Sequence, residues 1–325
     1  MMLKPFRVCA ALLAVFFAAA APAFGQDYPT RPVRVLVGAS PEATPRLLAE
    51  FLQRELGQPF VVEPRPGAGG DIAAKAAATA DPDGYTLLYA SSNYTLASAM
   101  QLGSVDFATA FTPIGLVGQS AYVLVAHPDV PAKTVPELIA LVKAKPGELN
   151  CGSSGIATPG HLSCEMFKAM VGAKIVHVPY RNASASMNGL VSGQVQFSFS
   201  VSTAARGQIE AGAIRGLAVT TEKKSPLLPE LPVLQDFGLP GFIVRGWGSL
   251  VAPVGTPQPI IDKLNVALMK ALADPGIQQK LLNSGLQPAQ LHKPEWFGNF
   301  IREEIARWNR TIDLAGVPRG KPQSN

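Results

Sequence analysis

Short apolar runs of strand length alternate with stretches of helical periodicity along most of this chain, and no other feature narrows the fold as far. Val33-Arg34-Val35-Leu36-Val37 reads as a buried strand. Leu47, Leu48, Phe51, Leu52 and Leu56 then recur at helical spacing, which predicts a helix over residues 45–56. Thr44 suits its N-cap, Pro45 its first position, and Gly57 its end. Phe60-Val61-Val62-Glu63 is a second strand, and residues 72–80 form an alanine-rich helix. The turn Asp81-Pro82-Asp83-Gly84 leads to a third strand, Tyr85-Thr86-Leu87-Leu88-Tyr89. Further strands are expected at 122–126, 174–178, 195–199 and 214–220, and helices at 135–144, 159–171, 184–191, 257–273 and 294–314. Trp296, Phe297, Phe300 and Trp308 share a face of the last helix and are expected in the core. The alternation implies an α/β architecture with helices on both faces of largely parallel sheets.

The N-terminus carries a different pattern. Lys4 and Arg7 precede an apolar run that ends near residue 21, and Ala23 and Gly25 supply small residues for cleavage. Residues 1–25 therefore read as a secretory signal peptide rather than part of the fold. The run is shorter than the roughly 20 residues a membrane span needs, and no later stretch is long and apolar enough. Over the whole chain, 28 Lys and Arg against 23 Asp and Glu give a net charge of +5. Losing Lys4 and Arg7 with the leader, and no acid, leaves +3. No basic stripe with interleaved aromatics appears, so nucleic acid is not an expected partner.

Export puts Cys151 and Cys164 where a disulfide can persist. A bridge and two separate thiols both stay open, because spatial geometry decides between them. His161 and Cys164 lie close in sequence, but no second ligand pair has metal-site spacing. Neither a metal nor a cofactor is expected. Gly152-Ser153-Ser154-Gly155 is not the Gly-x-Ser-x-Gly of a nucleophile elbow. No phosphate-binding loop or clear dinucleotide fingerprint is present, and His127, His161, His177 and His292 have no persuasive acid partner in the sequence. Binding rather than catalysis is the expectation.

A series of segments carries a family resemblance. It starts with Tyr28-Pro29-Thr30-Arg31-Pro32-Val33, Leu56-Gly57-Gln58-Pro59-Phe60, Arg65-Pro66-Gly67-Ala68-Gly69-Gly70 and Pro82-Asp83-Gly84-Tyr85-Thr86. It continues with Pro131-Ala132-Lys133-Thr134-Val135, residues 152–162, His177-Val178-Pro179-Tyr180 and Leu217-Ala218-Val219-Thr220. Gly238-Leu239-Pro240-Gly241-Phe242 and Ala252-Pro253-Val254-Gly255-Thr256-Pro257 complete it. In this order the segments resemble the substrate-binding receptors of tripartite tricarboxylate transporters, the Bug receptor family. The resemblance implies a two-lobe periplasmic-binding-protein fold of type II, with hinge strands joining the lobes and the ligand in the cleft. It implies residues 26–123 plus 249–325 in lobe 1 and 124–248 in lobe 2, with crossings near Val123 and Gly248. The implied protein is a periplasmic monomer that captures a small metabolite, mostly a carboxylate, for a membrane permease. A ligand sensor docking on a membrane signalling partner would use the same fold and cleft.

In such a cleft, helix N-termini hold an anion without any cationic side chain. The loop over residues 152–158 is the expected anion site, with Ser153, Ser154 and Thr158 as hydroxyl donors and His161 one turn into the helix. Ser91, Asn93, Tyr180 and Asn182 follow strands, where clefts of such sheets lie. Ser40 and Ser200 complete the expected ligand-binding set, and residues 67–70 are expected to form a supporting turn. The connection over residues 38–45 is shorter than the family's and carries Glu42. A carboxylate there is expected to repel a second carboxylate on the ligand. That would favour a monocarboxylate, an amino-bearing acid or an uncharged ligand over citrate-like tricarboxylates.

Overall fold

The computed structural model describes residues 28–38 and 42–320. The expected leader and Ser40 lie outside the described residues. The chain runs through β1 (Val33–Val37), α1 (Ala43–Leu56), β2 (Phe60–Pro64), α2 (Asp71–Ala78), β3 (Thr86–Ser91), α3 (Ser92–Met100) and α4 (Phe107–Ala110). Next come β4 (Phe111–Ala126), α5 (Val135–Ala144), β5 (Asn150–Ser153), α6 (Pro159–Val171), β6 (Val176–Pro179), α7 (Ala183–Val191), β7 (Phe197–Val201), α8 (Ser202–Glu210) and β8 (Arg215–Val219). The chain closes with β9 (Arg245–Pro253), α9 (Gln258–Ala273), α10 (Pro275–Asn283), β10 (Gln287–Pro288) and α11 (Pro294–Ala315).

One strand belongs to both lobes. The first part of β4, Phe111 to Ala121, pairs antiparallel with β9. Its last part, Tyr122 to Ala126, pairs antiparallel with β7 on one edge, and Val123 to Ala126 pair with β8 on the other. The first lobe is thus built on the order β2-β1-β3-β9-β4, and the second on β6-β5-β7-β4-β8. Between the named strands, parallel pairing is found for β1 with β2 and β3, and for β5 with β6 and β7. The sheets are mixed rather than largely parallel, because β4 and β9 run in opposite directions. The sequence pattern showed only the last residues of β4. Its earlier part carries Pro113, Gly115 and Gly118, and the register shifts between Pro113 and Gly115 and again between Leu116 and Gly118. Such residues mark bulges and hide a strand from a propensity reading.

The inner strands, such as β3 and β9, are buried on both faces, which is why they read as nearly continuous apolar runs. On β1, Val33, Val35 and Val37 face α1 and α9 through Leu48, Leu52, Ile261 and Leu264, whereas Leu36 joins Ala73 and Ala77 of α2 on the other side. In the second lobe, Val123 and Val125 of β4 pack with Leu190 and Val195, and Leu124 and Ala126 with Phe167 and Phe197. Each side chain of this size adds about 1.5–3 kcal/mol when fully buried. Helix α1 starts at Ala43, with Glu42 at the N-cap position, so Thr44 lies inside the first turn instead of capping it. Pro45 is still tolerated, because first-turn N–H groups have no intrahelical partner to lose.

Helix α11 lies along both lobes. Phe297 and Phe300 pack around Trp247 in the first, while Trp308 and Ile312 enter the core of the second. Trp296 departs from expectation: it is 48% exposed and stacks on the outside of Phe300. Between these two contacts sits Glu304, fully buried. It accepts hydrogen bonds from Arg245 Nη2 at 2.8 Å and Trp247 Nε1 at 3.2 Å, and from Arg307. Arg245 also donates to Glu222. Removing one partner of such a desolvated network costs several kcal/mol.

Candidate functional site

Of the cavities between the lobes, two reach the strand-to-helix junctions. The first has a volume of about 450 Å3. Its wall is made by Ala43 and Thr44 of α1, the β3–α3 junction from Tyr89 to Asn93, Ser120 and Tyr122 of β4, and the β7–α8 junction at Val201, Thr203 and Ala204. Gly246, Trp247 and Gly248 of β9 and residues 284–286 close it. Among the described residues, no charged side chain lines it.

Three helices, α1, α3 and α8, begin at this cavity, and among the described residues none has a side-chain cap. The first-turn N–H groups of such helices have no intrahelical acceptor, and each terminus carries a partial positive charge. For an anion, each terminus is worth roughly 0.3–1 kcal/mol, and up to about 2 kcal/mol when partly buried. In the first turn of α8, the buried Ser202 Oγ also has no hydrogen-bond partner. Hydroxyls complete the wall. Burial raises the pKa of Tyr89, with a hydrogen bond to Thr44 pulling the other way, and burial also raises that of Tyr122. Both phenols therefore stay protonated and able to donate.

Two glycines make this arrangement possible. A Cβ at Gly246 would overlap Ser120 Oγ, and one at Gly248 would overlap the Tyr89 hydroxyl. Trp247, between them, points to the opposite face and into the core. Across the cavity, Gly285 lies so close to Thr203 that a side chain there would collide with it.

The second cavity, of about 260 Å3, adjoins the first at Asn93, which lines both. It lies between α2, α3 and the loop before α6, with Leu102, Val105, Phe107, Ile156 and Thr158 in its wall.

Of the expected ligand-binding residues, Ser91 and Asn93 line the first cavity, and Asn93 and Thr158 the second. The others sit elsewhere. Ser153 is 1% exposed, and its Oγ lies 2.7 Å from His177 Nε2 and within hydrogen-bond reach of Gly155. Ser154 is half-buried beside it and lines neither cavity. His161 is buried, its Nδ1 accepting the N–H of Ala157 at 3.2 Å. Tyr180 packs against Gly189, with its hydroxyl donating to Gln194. Asn182 caps α7 by accepting the N–H of Ala185. Ser200 is hydrogen-bonded to Ser198 within β7. The cysteines left open by the sequence are joined: Cys151 and Cys164 form a disulfide, with Cα atoms 6.0 Å apart, that ties β5 to α6.

One cluster has the residue types of a metal centre. Ligand atoms of His161, Glu165 and His177 lie within 4.8 Å of one another. Each already has a protein partner: Ala157 for His161, Ser153 for His177, and Lys168 for Glu165. Burial, followed by the neighbouring His161, pushes His177 down to about 4, and burial also lowers His161. The cluster is a satisfied neutral pair of histidines inside the lobe. The contact between Ser153 and His177 offers no nucleophile either, because Ser153 is buried and lines neither cavity.

Residues 44–317 match the family model described as the tripartite tricarboxylate transporter family receptor. The chain belongs to this receptor family. Its curated relatives include protein BugT of Bordetella pertussis, 33% identical over 317 residues, which covers 94% of this chain and 97% of that protein. Among solved structures, Rpa4515 of R. palustris with adipate is 33% identical with a TM-score of 0.79, covering 89% of this chain and 98% of that one. MatC from Rhodopseudomonas palustris with bound malate is 29% identical with a TM-score of 0.76, covering 88% and 100%. Family and fold are those of solute-binding receptors rather than enzymes.

Sequence reasoning about this receptor missed Thr44, Tyr89, Ser120, Tyr122 and Thr203, all on the wall of the first cavity. Gly246-Trp247-Gly248 was the available sign. Alternate glycines on a strand leave one face bare, which marks a close approach. Glu42 does not line the cavity and is paired with Arg46 one turn along α1, so its charge is balanced locally.

Proposed function

We infer that this receptor is periplasmic, holds a small carboxylate in the first inter-lobe cavity, and passes it to a membrane permease. The observation that carries the reading is the meeting of three helix starts in one cavity that is lined with hydroxyls and, among the described residues, has neither side-chain caps on those helices nor charged side chains in its wall. Backbone donors and dipoles hold a carboxylate there without a fixed cation. The bound adipate and malate of its structural relatives support this ligand class. The protein acts as a monomer after export through residues 1–25. Its lobes, residues 26–123 plus 249–325 and residues 124–248, close about the crossings near Val123 and Gly248.

The test is titration of the mature protein with small carboxylates, followed by calorimetry, thermal melting and small-angle scattering. A true ligand raises stability by about 2.7 kcal/mol at a hundredfold excess over its Kd. It also shrinks the radius of gyration and is recovered unchanged. A tightly bound carboxylate that leaves the scattering profile unaltered would overturn lobe closure. Chemical turnover of the bound acid would overturn the receptor role.

A further inference from the structure

The second cavity differs in chemistry from the first. Ala68, Ala74, Ala97, Leu102, Val105 and Phe107 are among its apolar lining residues. Its polar side chains are largely engaged. Tyr94 donates to Gly70, Thr158 Oγ1 donates to Gly155, and Asp71 Oδ1 accepts the N–H of Ser104 at 2.7 Å. Ile156, on the second lobe's side, is 66% exposed at this wall, although a large aliphatic side chain is normally covered. Asn93 lines both spaces, so a ligand anchored in the first can extend past it into the second.

Resting on the carboxylate reading of the first cavity, we propose that the solute is a monocarboxylate with an apolar tail. The carboxylate lies among the helix starts and hydroxyls, and the tail passes Asn93 to fill the second cavity beneath Ile156. Small alanines at 68, 74 and 97 leave the room the tail takes. Asp71 sets the selectivity. A dicarboxylate reaching into this space would bring its second anion toward the Asp71 carboxylate in a partly desolvated place, where like charges repel strongly. An apolar tail meets no such penalty and gains from leaving water.

The experiment is calorimetric titration with straight-chain monocarboxylates from acetate to octanoate, and with adipate as the dicarboxylate matched in length to hexanoate. Affinity should rise about fourfold per added methylene, roughly 0.8 kcal/mol, until the second cavity is full. Adipate should bind at least tenfold more weakly than hexanoate. Ala97→Phe, which fills the second cavity, should flatten the chain-length series, with its melting midpoint as the folding control. Asp71→Asn keeps an acceptor for Ser104 and should bring adipate to within about threefold of hexanoate. Affinity independent of chain length in the wild type, or adipate equal to hexanoate there, overturns the inference while leaving the carboxylate reading intact. Binding of none of these acids overturns both.

Discussion

At the start of α6, Thr158 accepts the N–H of His161 and donates to Gly155, the neighbouring Ser153 is held by His177, and a disulfide ties the strand before the helix to the helix itself. At the starts of α3 and α8 no side chain does any of this, and both open into the first cavity. All three follow strands and carry Ser or Thr, so by composition they are alike. They differ in where their donors are spent. A capped terminus has used its polar side chain to stabilise its own lobe, whereas an uncapped one keeps its N–H groups for something else. Hydroxyl-rich strand-to-helix turns are therefore poor guides to a binding site until the caps are known.

The largest expected effect tests the locked region. Replacing both Cys151 and Cys164 with Ser opens a short cross-linked loop and should cost about 3 kcal/mol of stability, read by denaturant unfolding. Ligand affinity should hold within about twofold. A large affinity loss in the folded variant would move the α6 start into the site.

Next in size is Gly248→Val, at the open region. The new side chain meets the Tyr89 hydroxyl and fills the first cavity. Affinity for the true ligand should fall about a hundredfold, roughly 2.8 kcal/mol, by calorimetry. Undiminished binding in a folded variant would exclude this cavity.

A proline pair then sets the two kinds of terminus against each other. Thr203→Pro removes one N–H from the first turn of α8, where proline is tolerated, and should weaken binding about tenfold, or roughly 1.4 kcal/mol. Ser154→Pro, ahead of the capped helix, should change affinity by less than about threefold. The reverse order of effects would reinstate the loop over residues 152–158 as the anion site.

The effect that is smallest near neutral pH comes from histidine titration. His177 starts from 6.5 and falls to about 4 in the fold, and His161 is lowered in the same direction, burial being the main cause for both. Between these values the unfolded chain binds protons that the folded one does not, so stability falls as pH falls through this window. Both groups are neutral above it, and the contribution there vanishes. The melting midpoint should drop between about pH 6.5 and 4, and His177→Gln should reduce that drop. An identical pH profile in the variant would assign the acid sensitivity to other groups.

The α/β class and most strands and helices were legible because each depends on local pattern. Val33 to Val37 is apolar at every position but Arg34 because helices cover both faces of the sheet over most of its length. Helices α3 and α8 were not seen. Ser-Asn-Tyr-Thr and Ser-Thr-Ala-Ala-Arg lack a continuous apolar face, and helices of nine residues rely on packing rather than propensity. These two missed helices carry starts of the candidate site.

The sequence by itself determined what single segments can do: which runs must be buried, where turns fall, that two of the cysteines lie beyond the leader-like segment, and, through its ordered motifs, which receptor family the chain belongs to. Tertiary structure alone decided what depends on distance between segments. It joined Cys151 to Cys164, ran β4 through both sheets, and set Gly248 against Tyr89 so that a phenol reaches the cavity. It also settled which helix starts are capped. A cap is a hydrogen bond that must be made in space, and every Ser or Thr in the sequence has the means to make one.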